Sequence, residues 1–216
     1  MVKPAVIGEK VGMDERALFQ SHFDVKGVGI KFYSEDTHTD KTHLLRDVKF
    51  CQAVKVARNQ KVLLDKDSIT CRGARYALGF DPITVKGEIV NAIKFKRGIT
   101  KEIAEQLVDT IPRITNPSYT SIGLNVDDPD MYIFYMTPKR FMEFLKVYQR
   151  TGNSLKVILS SLTAMCGDIA AQTFLTKRIC ISFGCDDSRE YGDVADGELI
   201  VGIPQETIAQ LMKMIY

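Results

Sequence analysis

The chain has 216 residues, of which 45% are hydrophobic and 26% charged, and its 29 basic and 27 acidic side chains give a formal net charge of +2. This composition is typical of a globular protein with a sizeable core, and it excludes an intrinsically disordered chain. Nucleic-acid binders usually carry a basic excess or a basic stripe, so we expect no nucleic-acid partner.

The sequence also bears on compartment and redox state. No run approaches the roughly 20 apolar residues of a membrane helix, and residues 1–20 lack the apolar core of a secretory signal. We therefore expect a cytoplasmic protein without a membrane partner. Five cysteines, an odd number, fit reduced thiols better than a disulfide framework.

Helical and β-prone segments alternate in the first half of the chain. Thr100 is predicted to be a helix N-cap, and Gly79 is predicted to follow a helix C-terminus as its cap. The basic run 94–97 is predicted to be a solvated strand or turn edge. Apolar spacing predicts helices at 13–23, at 44–48, from Cys51, at 72–78 and at 101–109, and strands at 28–33, 62–64 and 68–70.

The second half repeats this alternation after a proline-bounded stretch at 112–117. Thr137 followed by Pro138 is a strong helix start, because a capping hydroxyl precedes a proline at the first helical position. The predicted strands are 131–136, 177–183 and 197–204, and the predicted helices are one starting at Pro138, one over 154–173 and one over 205–216.

The cysteines recur as a matched pair of pairs. Cys51 and Cys71 lie 20 residues apart, and Cys166 and Cys185 lie 19 apart. The second member of each pair begins the pattern Cys-x-x-x-Arg, which ends at Arg75 in one half and at Arg189 in the other. This repetition indicates an internal duplication.

The predicted fold is α/β (or α+β), built from two similar halves that pack with pseudo-two-fold symmetry. We expect residues 1–112 to hold an N-terminal helix and the first α/β repeat, residues 113–118 to be a linker, and residues 119–216 to form the second repeat. Equivalent cysteines of the two halves would then converge on one site.

Two readings of the cysteine pattern lead to different chemistry. In the first, Cys51, Cys71, Cys166 and Cys185 hold an iron–sulfur cluster or a zinc ion, both of which take four thiolates. Against this, the chain has no Cys-x-x-Cys pair, and small core cysteines are common.

In the second reading, the two Cys-x-x-x-Arg turns bind a small anionic ligand through Arg75 and Arg189, without a metal. Each arginine lies one helical turn after its cysteine. Arg72 and Arg75 also make the setting of Cys71 electropositive, which favours a low-pKa thiol or an anionic ligand. The expected partner is therefore a metal or a small molecule.

Three segments carry a family resemblance: the run Cys-Arg-Gly-Ala-Arg-Tyr-Ala-Leu-Gly at 71–79, Phe-Gly-Cys-Asp-Asp-Ser-Arg at 183–189, and Val-Gly-Ile-Pro at 201–204. With them the chain resembles the uncharacterised ArCR family of archaea and bacteria, a domain of unknown function. The resemblance spans most of the chain and implies a prokaryotic protein. It brings no established activity, cofactor or catalytic residue.

Overall fold

A single seven-stranded mixed sheet is the centre of the fold. The computed structural model describes residues 15–34, 42–157, 159 and 162–216. The sheet order is β2-β3-β4-β1-β5-β7-β6, with β2 and β3 parallel and every other neighbouring pair antiparallel. The strands are β1 (Gly27–Tyr33), β2 (His43–Leu44), β3 (Val62–Asp65), β4 (Ser121–Leu124), β5 (Met131–Met136), β6 (Cys180–Ser182) and β7 (Leu199–Pro204).

Helices cover the sheet and connect its strands, so the predicted α/β class is confirmed. A π-helix over Ala164–Ala171 runs directly into α7. The α-helices of the described residues are α1 (Glu15–Phe23), α2 (Phe50–Ala57), α3 (Arg72–Ala77), α4 (Lys86–Arg97), α5 (Lys101–Asp109), α6 (Pro138–Gln149), α7 (Gln172–Thr176), α8 (Asp186–Glu190) and α9 (Gln205–Ile215).

Two hydrophobic clusters lie on opposite faces of the sheet. In β5, Met131 and Ile133 belong to one cluster, whereas Tyr132, Phe134 and Met136 belong to the other. This alternation follows from the two-residue period of a strand. The first cluster includes buried residues of α2 to α5 and the π-helix, and the second includes residues of α1, α6 and α9. All predicted site cysteines belong to the first face.

Helix termini follow their local capping signals. The Thr137 hydroxyl accepts a hydrogen bond from the backbone N–H of Arg140, and Pro138 opens α6. Thr100 caps α5 in the same way. Gly79, after the end of α3, has a φ of 75°, the left-handed conformation that favours glycine. These three predictions are confirmed.

Four predicted elements were wrong, and one of them, the strand expected at 68–70, is reduced to an isolated bridge at Ile69. Residues 43 and 44 form the edge strand β2, and Val48 makes an isolated bridge to Ile69, so the helix expected at 44–48 is absent. The basic run 94–97 is the last turn of α4, where lysine and arginine favour the helix C-terminus. Within 154–173, the described part is non-helical before Ala164, where the π-helix begins.

Two sets of three strands share one connectivity, although the first set includes β4, which lies within residues 119–216. In chain order β1, β3 and β4 form one set and β5, β6 and β7 another, and in each set the third strand lies between the first two. Strands β1 and β5 meet as antiparallel neighbours at the junction of the sets. An internal duplication requires this arrangement, and the duplication itself stays a prediction.

The segment expected to be a linker packs against the first half. The backbone N–H of Ile114 donates to the carbonyl of Ala77 at 2.9 Å, and the Tyr119 hydroxyl donates to the carbonyl of Leu78. Strand β4 follows it and pairs with both β3 and β1. The division into 1–112, 113–118 and 119–216 stays a prediction. Among the described residues, no helix is both long and apolar enough to cross a membrane.

Candidate four-thiol site

Cys51 lies in the first turn of α2. This helix turns an apolar face towards the sheet, with Phe50, Cys51, Ala53, Val54 and Ala57 all buried. The Cys51 thiol donates a hydrogen bond to the backbone carbonyl of Asp187 at an Sγ–O distance of 3.4 Å. The first turn of α2 is therefore linked to the start of α8.

Cys71 and Cys185 occupy equivalent positions in the two halves. Cys71 is the N-cap of α3 and Cys185 is the N-cap of α8, both with extended backbone. In each turn the backbone N–H of the arginine four residues later donates to the cysteine carbonyl at 3.0 Å. The repeated sequence pattern thus forms a repeated strand-to-helix turn.

Arg75 holds its turn in place through its guanidinium group. It donates to the Asp81 carboxylate from Nε at 2.8 Å, and from Nη1 to the backbone carbonyls of Lys66 at 2.5 Å and Ile69 at 3.5 Å. Ile69 lies two residues before Cys71. The guanidinium group therefore fixes the loop that presents the thiol.

Arg189 has the corresponding role in the second half. Its guanidinium group donates to the backbone carbonyl of Phe183, two residues before Cys185. It also donates to the backbone carbonyls of Glu198 at 3.1 Å and Val194 at 3.3 Å. Another bond goes to the carbonyl of Ala195. The two arginines thus have protein partners, and binding of an anionic ligand by them stays a prediction.

Cys166 lies on the π-helix, an uncommon element that is frequent at functional sites. A Cβ on the next residue, Gly167, would lie 2.2 Å from Thr163 Oγ1 and 2.9 Å from Thr163 Cβ. Glycine is therefore required for the close contact that begins the π-helix. Cys166 itself is buried, 8% exposed.

The four cysteines of the pattern line one small cavity of about 40 Å³. A cavity of this size has room for at least one water molecule. Two of the thiols are buried, Cys51 and Cys166, and two are half-buried, Cys71 and Cys185. The other lining residues are Lys49, Phe50, Ala74, Leu162, Thr163, Met165, Asp187 and Ser188.

Burial and crowding keep the thiols of Cys51 and Cys166 protonated at neutral pH. Burial raises the pKa of Cys51 to about 12, and negative charge on Cys185, Cys71 and Asp187 adds to the effect. Burial likewise raises the pKa of Cys166 well above its ordinary value. These shifts follow from the cost of an ionised thiol in a poorly solvated space.

The expectation of a low-pKa thiol at Cys71 was wrong. Burial raises the pKa of this thiol, although the backbone N–H of Ala74 opposes the increase. The carboxylate of Asp187 lies 3.9 Å from Cys71 Sγ and adds negative charge. Desolvation therefore outweighs the helix start and the neighbouring arginines.

Asp187 and Lys49 form a charged pair at the rim of the small cavity. Lys49 Nζ lies 2.9 Å from Asp187 Oδ1 and 3.9 Å from the centroid of the Tyr191 ring. Desolvation lowers the pKa of Lys49, but the hydrogen bond and charge of Asp187 outweigh it and the net shift is upward. Lys49 is therefore a stable cation beside the thiols.

Sequence reasoning missed Asp187, Lys49 and Thr163 as site residues. Asp187 is one of several acidic residues near Cys185, and only its position two residues after the N-cap cysteine sets it apart. The fifth cysteine, Cys180, lies in β6 and lines a different cavity with Asp168 and Gln172.

The donor set suits thiophilic metals, but the side chains are not in a closed coordination sphere. In the described part of the chain, no group of three or more His, Cys, Asp or Glu side chains is arranged to hold a metal ion. A single zinc ion needs sulfurs about 2.3 Å from one centre. The four thiols therefore share a cavity without forming a preformed metal site.

Comparison with known proteins gives a family but no activity. The model of the uncharacterised ArCR family matches residues 21–214. A similar curated protein, an uncharacterised protein of Methanocaldococcus jannaschii, is 24% identical over 179 residues, which cover 77% of this chain and 76% of that protein. No solved structure gives a significant match.

Proposed function

Since this chain belongs to the uncharacterised ArCR family, we propose its function from its own residues: a redox or metal-binding protein with a thiol-held centre. Cys51, Cys71, Cys166 and Cys185 are the proposed ligands of an iron–sulfur cluster or, as the second choice, of a single zinc ion. The observation that carries the proposal is that four separate segments bring these four thiols to one cavity.

Electrostatics give the cavity a preference for a cation. Charge on neighbouring cysteines raises the pKa values of Cys51 and Cys166, because two adjacent thiolates repel each other in a poorly solvated space. A bound metal replaces the thiol protons and removes this repulsion, so binding releases protons. An iron–sulfur cluster held there would supply one-electron redox chemistry.

Surrounding residues have separate roles in this proposal. Arg75 and Arg189 fix the turns that carry Cys71 and Cys185, and the π-helix fixes Cys166. Lys49 provides positive charge beside a centre whose thiolates are negative. Cys51 and Cys166 form the buried side, so the centre would be approached from the side of the two half-buried cysteines.

Anaerobic purification followed by an absorption spectrum and metal analysis on one sample tests the proposal. Broad visible absorbance with stoichiometric iron is the expected result, and colourless protein with one zinc would select the second choice. Cys71→Ser should lose the metal, whereas Cys180→Ser, the matched control, should keep it. Wild-type protein without iron or zinc would contradict the proposal.

A further inference from the structure

A second, larger cavity adjoins the four-thiol cavity. Its volume is about 270 Å³, close to the lower end of the range for small-ligand pockets, about 300 Å³. Of the four thiols, only Cys71 and Cys185 line it. Residues shared by both cavities are Cys71, Leu162, Thr163, Cys185 and Asp187.

One wall of this cavity is apolar. Ile89, Ala92 and Ile93 of α4 line it at the spacing of one helical face. Ile111, which follows α5, and Leu162 complete the apolar lining. Such a wall favours a hydrocarbon group, because burial removes apolar surface from water.

The rim of the cavity carries charges of both signs. Arg72, Lys96 and Arg97 line it, together with Asp186 and Asp187. Lys96 Nζ lies 2.7 Å from Asp186 Oδ2, but these side chains are 68% and 79% exposed. Exposed ion pairs contribute little, so a ligand carboxylate can replace Asp186 as the partner of Lys96 at small cost.

A buried hydroxyl adds an unpaired polar group to the wall shared by the two cavities. Thr163 is 4% exposed and lines both cavities. Within the described part of the chain, its Oγ1 atom is buried without a hydrogen-bond partner. Buried polar groups in native structures are nearly always paired, so an unpaired one beside a cavity suggests a missing partner.

We propose that the larger cavity binds a short aliphatic carboxylate. Its hydrocarbon body lies along Ile89, Ala92 and Ile93, and its carboxylate pairs with Lys96 at the rim. This site needs no metal, and the ligand would lie beside the Cys71 and Cys185 side of the four-thiol site. It is separate from the anionic site expected at Arg75 and Arg189.

Titration with hexanoate, followed by NMR of isoleucine methyl groups, tests this site directly. Hexanoate should shift the signals of Ile89, Ile93 and Ile111 in a saturable manner. Hexan-1-ol has the same chain length without the charge and should bind about two- to fivefold more weakly, as expected for loss of one exposed ion pair. Equal affinity for the two, or unchanged signals from these isoleucines, would overturn the proposal.

Three single-residue variants test whether hexanoate binds in this cavity. Ala92 is exposed and lines the cavity, so Ala92→Leu fills space without disturbing the core and should abolish hexanoate binding. Lys96→Gln should weaken binding about two- to fivefold, the range for an exposed ion pair. Lys94→Gln, on the same helix but outside the cavity lining, is the control and should bind as wild type does. Wild-type affinity in Ala92→Leu would overturn the proposal.

The metal content of each sample separates this site from the four-thiol centre. Ala92→Leu should keep the full metal content of the wild type while losing hexanoate. Metal-free protein that still binds hexanoate would support this cavity and contradict the metal proposal. Metal-loaded protein that does not bind hexanoate would overturn this cavity alone.

Discussion

The thiol of Cys51 in α2 donates a hydrogen bond to the backbone carbonyl of Asp187 in α8, at an Sγ–O distance of 3.4 Å. These residues are 136 positions apart in the sequence. The carboxylate of the same Asp187 pairs with Lys49, directly before α2, and lies 3.9 Å from the Cys71 thiol. Asp187 therefore connects the two halves beside the cavity that the thiols line.

We predict that the Lys49–Asp187 pair contributes modestly to stability. The side chains are 29% and 34% exposed, so solvent screens much of their attraction. A double-mutant cycle with Lys49→Met and Asp187→Asn should give a coupling energy of about 0.5–1 kcal/mol from urea unfolding. A coupling energy of zero would show that the pair does not hold α2 and α8 together.

Alkaline pH should destabilise the metal-free protein through Cys51. Its folded pKa is raised from 9.0 to about 12, so its contribution is fully present below pH 9. Above pH 9 the unfolded thiol ionises first, and the contribution is lost as the pH rises towards the folded pKa. Wild-type unfolding free energy should fall between pH 8 and pH 10.5, by about 1–2 kcal/mol more than in Cys51→Ala.

Urea unfolding of both proteins, with reductant and chelator present, checks this pH dependence. Tyr135, whose pKa burial raises to about 12, is present in both proteins, so the part of its effect that is due to burial cancels in the comparison. Identical slopes in wild type and Cys51→Ala would contradict the raised pKa of Cys51.

Gly167→Ala should damage the site through the backbone. The added Cβ would meet Thr163 Oγ1 at 2.2 Å, and overpacking of this kind costs about 1–3 kcal/mol. Gly87→Ala in α4 is the matched control, because nothing lies within 4 Å of its added Cβ. Thermal unfolding should show a lower midpoint for Gly167→Ala only, and that variant should also retain less metal.

Replacement of Arg189 distinguishes a structural arginine from a ligand-binding one. Arg189→Met removes hydrogen bonds to several backbone carbonyls and should cost about 1.5–3 kcal/mol in urea unfolding. Arg150→Met, at the exposed C-cap of α6, should change stability little. Full stability in Arg189→Met, with loss of binding to a small anion, would instead support an anionic-ligand role.

Local signals explain which elements the sequence could predict. Thr137 with Pro138 and Thr100 determine their helix starts through contacts within one turn, so these starts could be predicted. The edge strand at His43 and Leu44 depends on pairing with β3, which no local pattern encodes. The π-helix depends on the contact between Gly167 and Thr163, and its residues, apolar except for Asp168, are all buried.

The sequence was sufficient to predict the thiols of the candidate site but not the charged residues beside them. Repetition of Cys-x-x-x-Arg indicated that Cys71 and Cys185 are equivalent, and both are N-caps lining the same cavities. The pairing of Lys49 with Asp187 joins residues 138 positions apart, so only the tertiary structure identifies it. For the same reason, the raised pKa of Cys71 could not be predicted from its basic neighbours in sequence.

X-ray absorption at the iron or zinc edge of anaerobically purified protein identifies the ligands of the metal. We expect a first shell of sulfur neighbours only, from Cys51, Cys71, Cys166 and Cys185 and, in a cluster, from its inorganic sulfide. Cys180→Ser should leave this shell unchanged, and Cys166→Ser should disrupt it. A first shell of nitrogen or oxygen neighbours, or protein that contains no metal, would contradict the four-thiol centre.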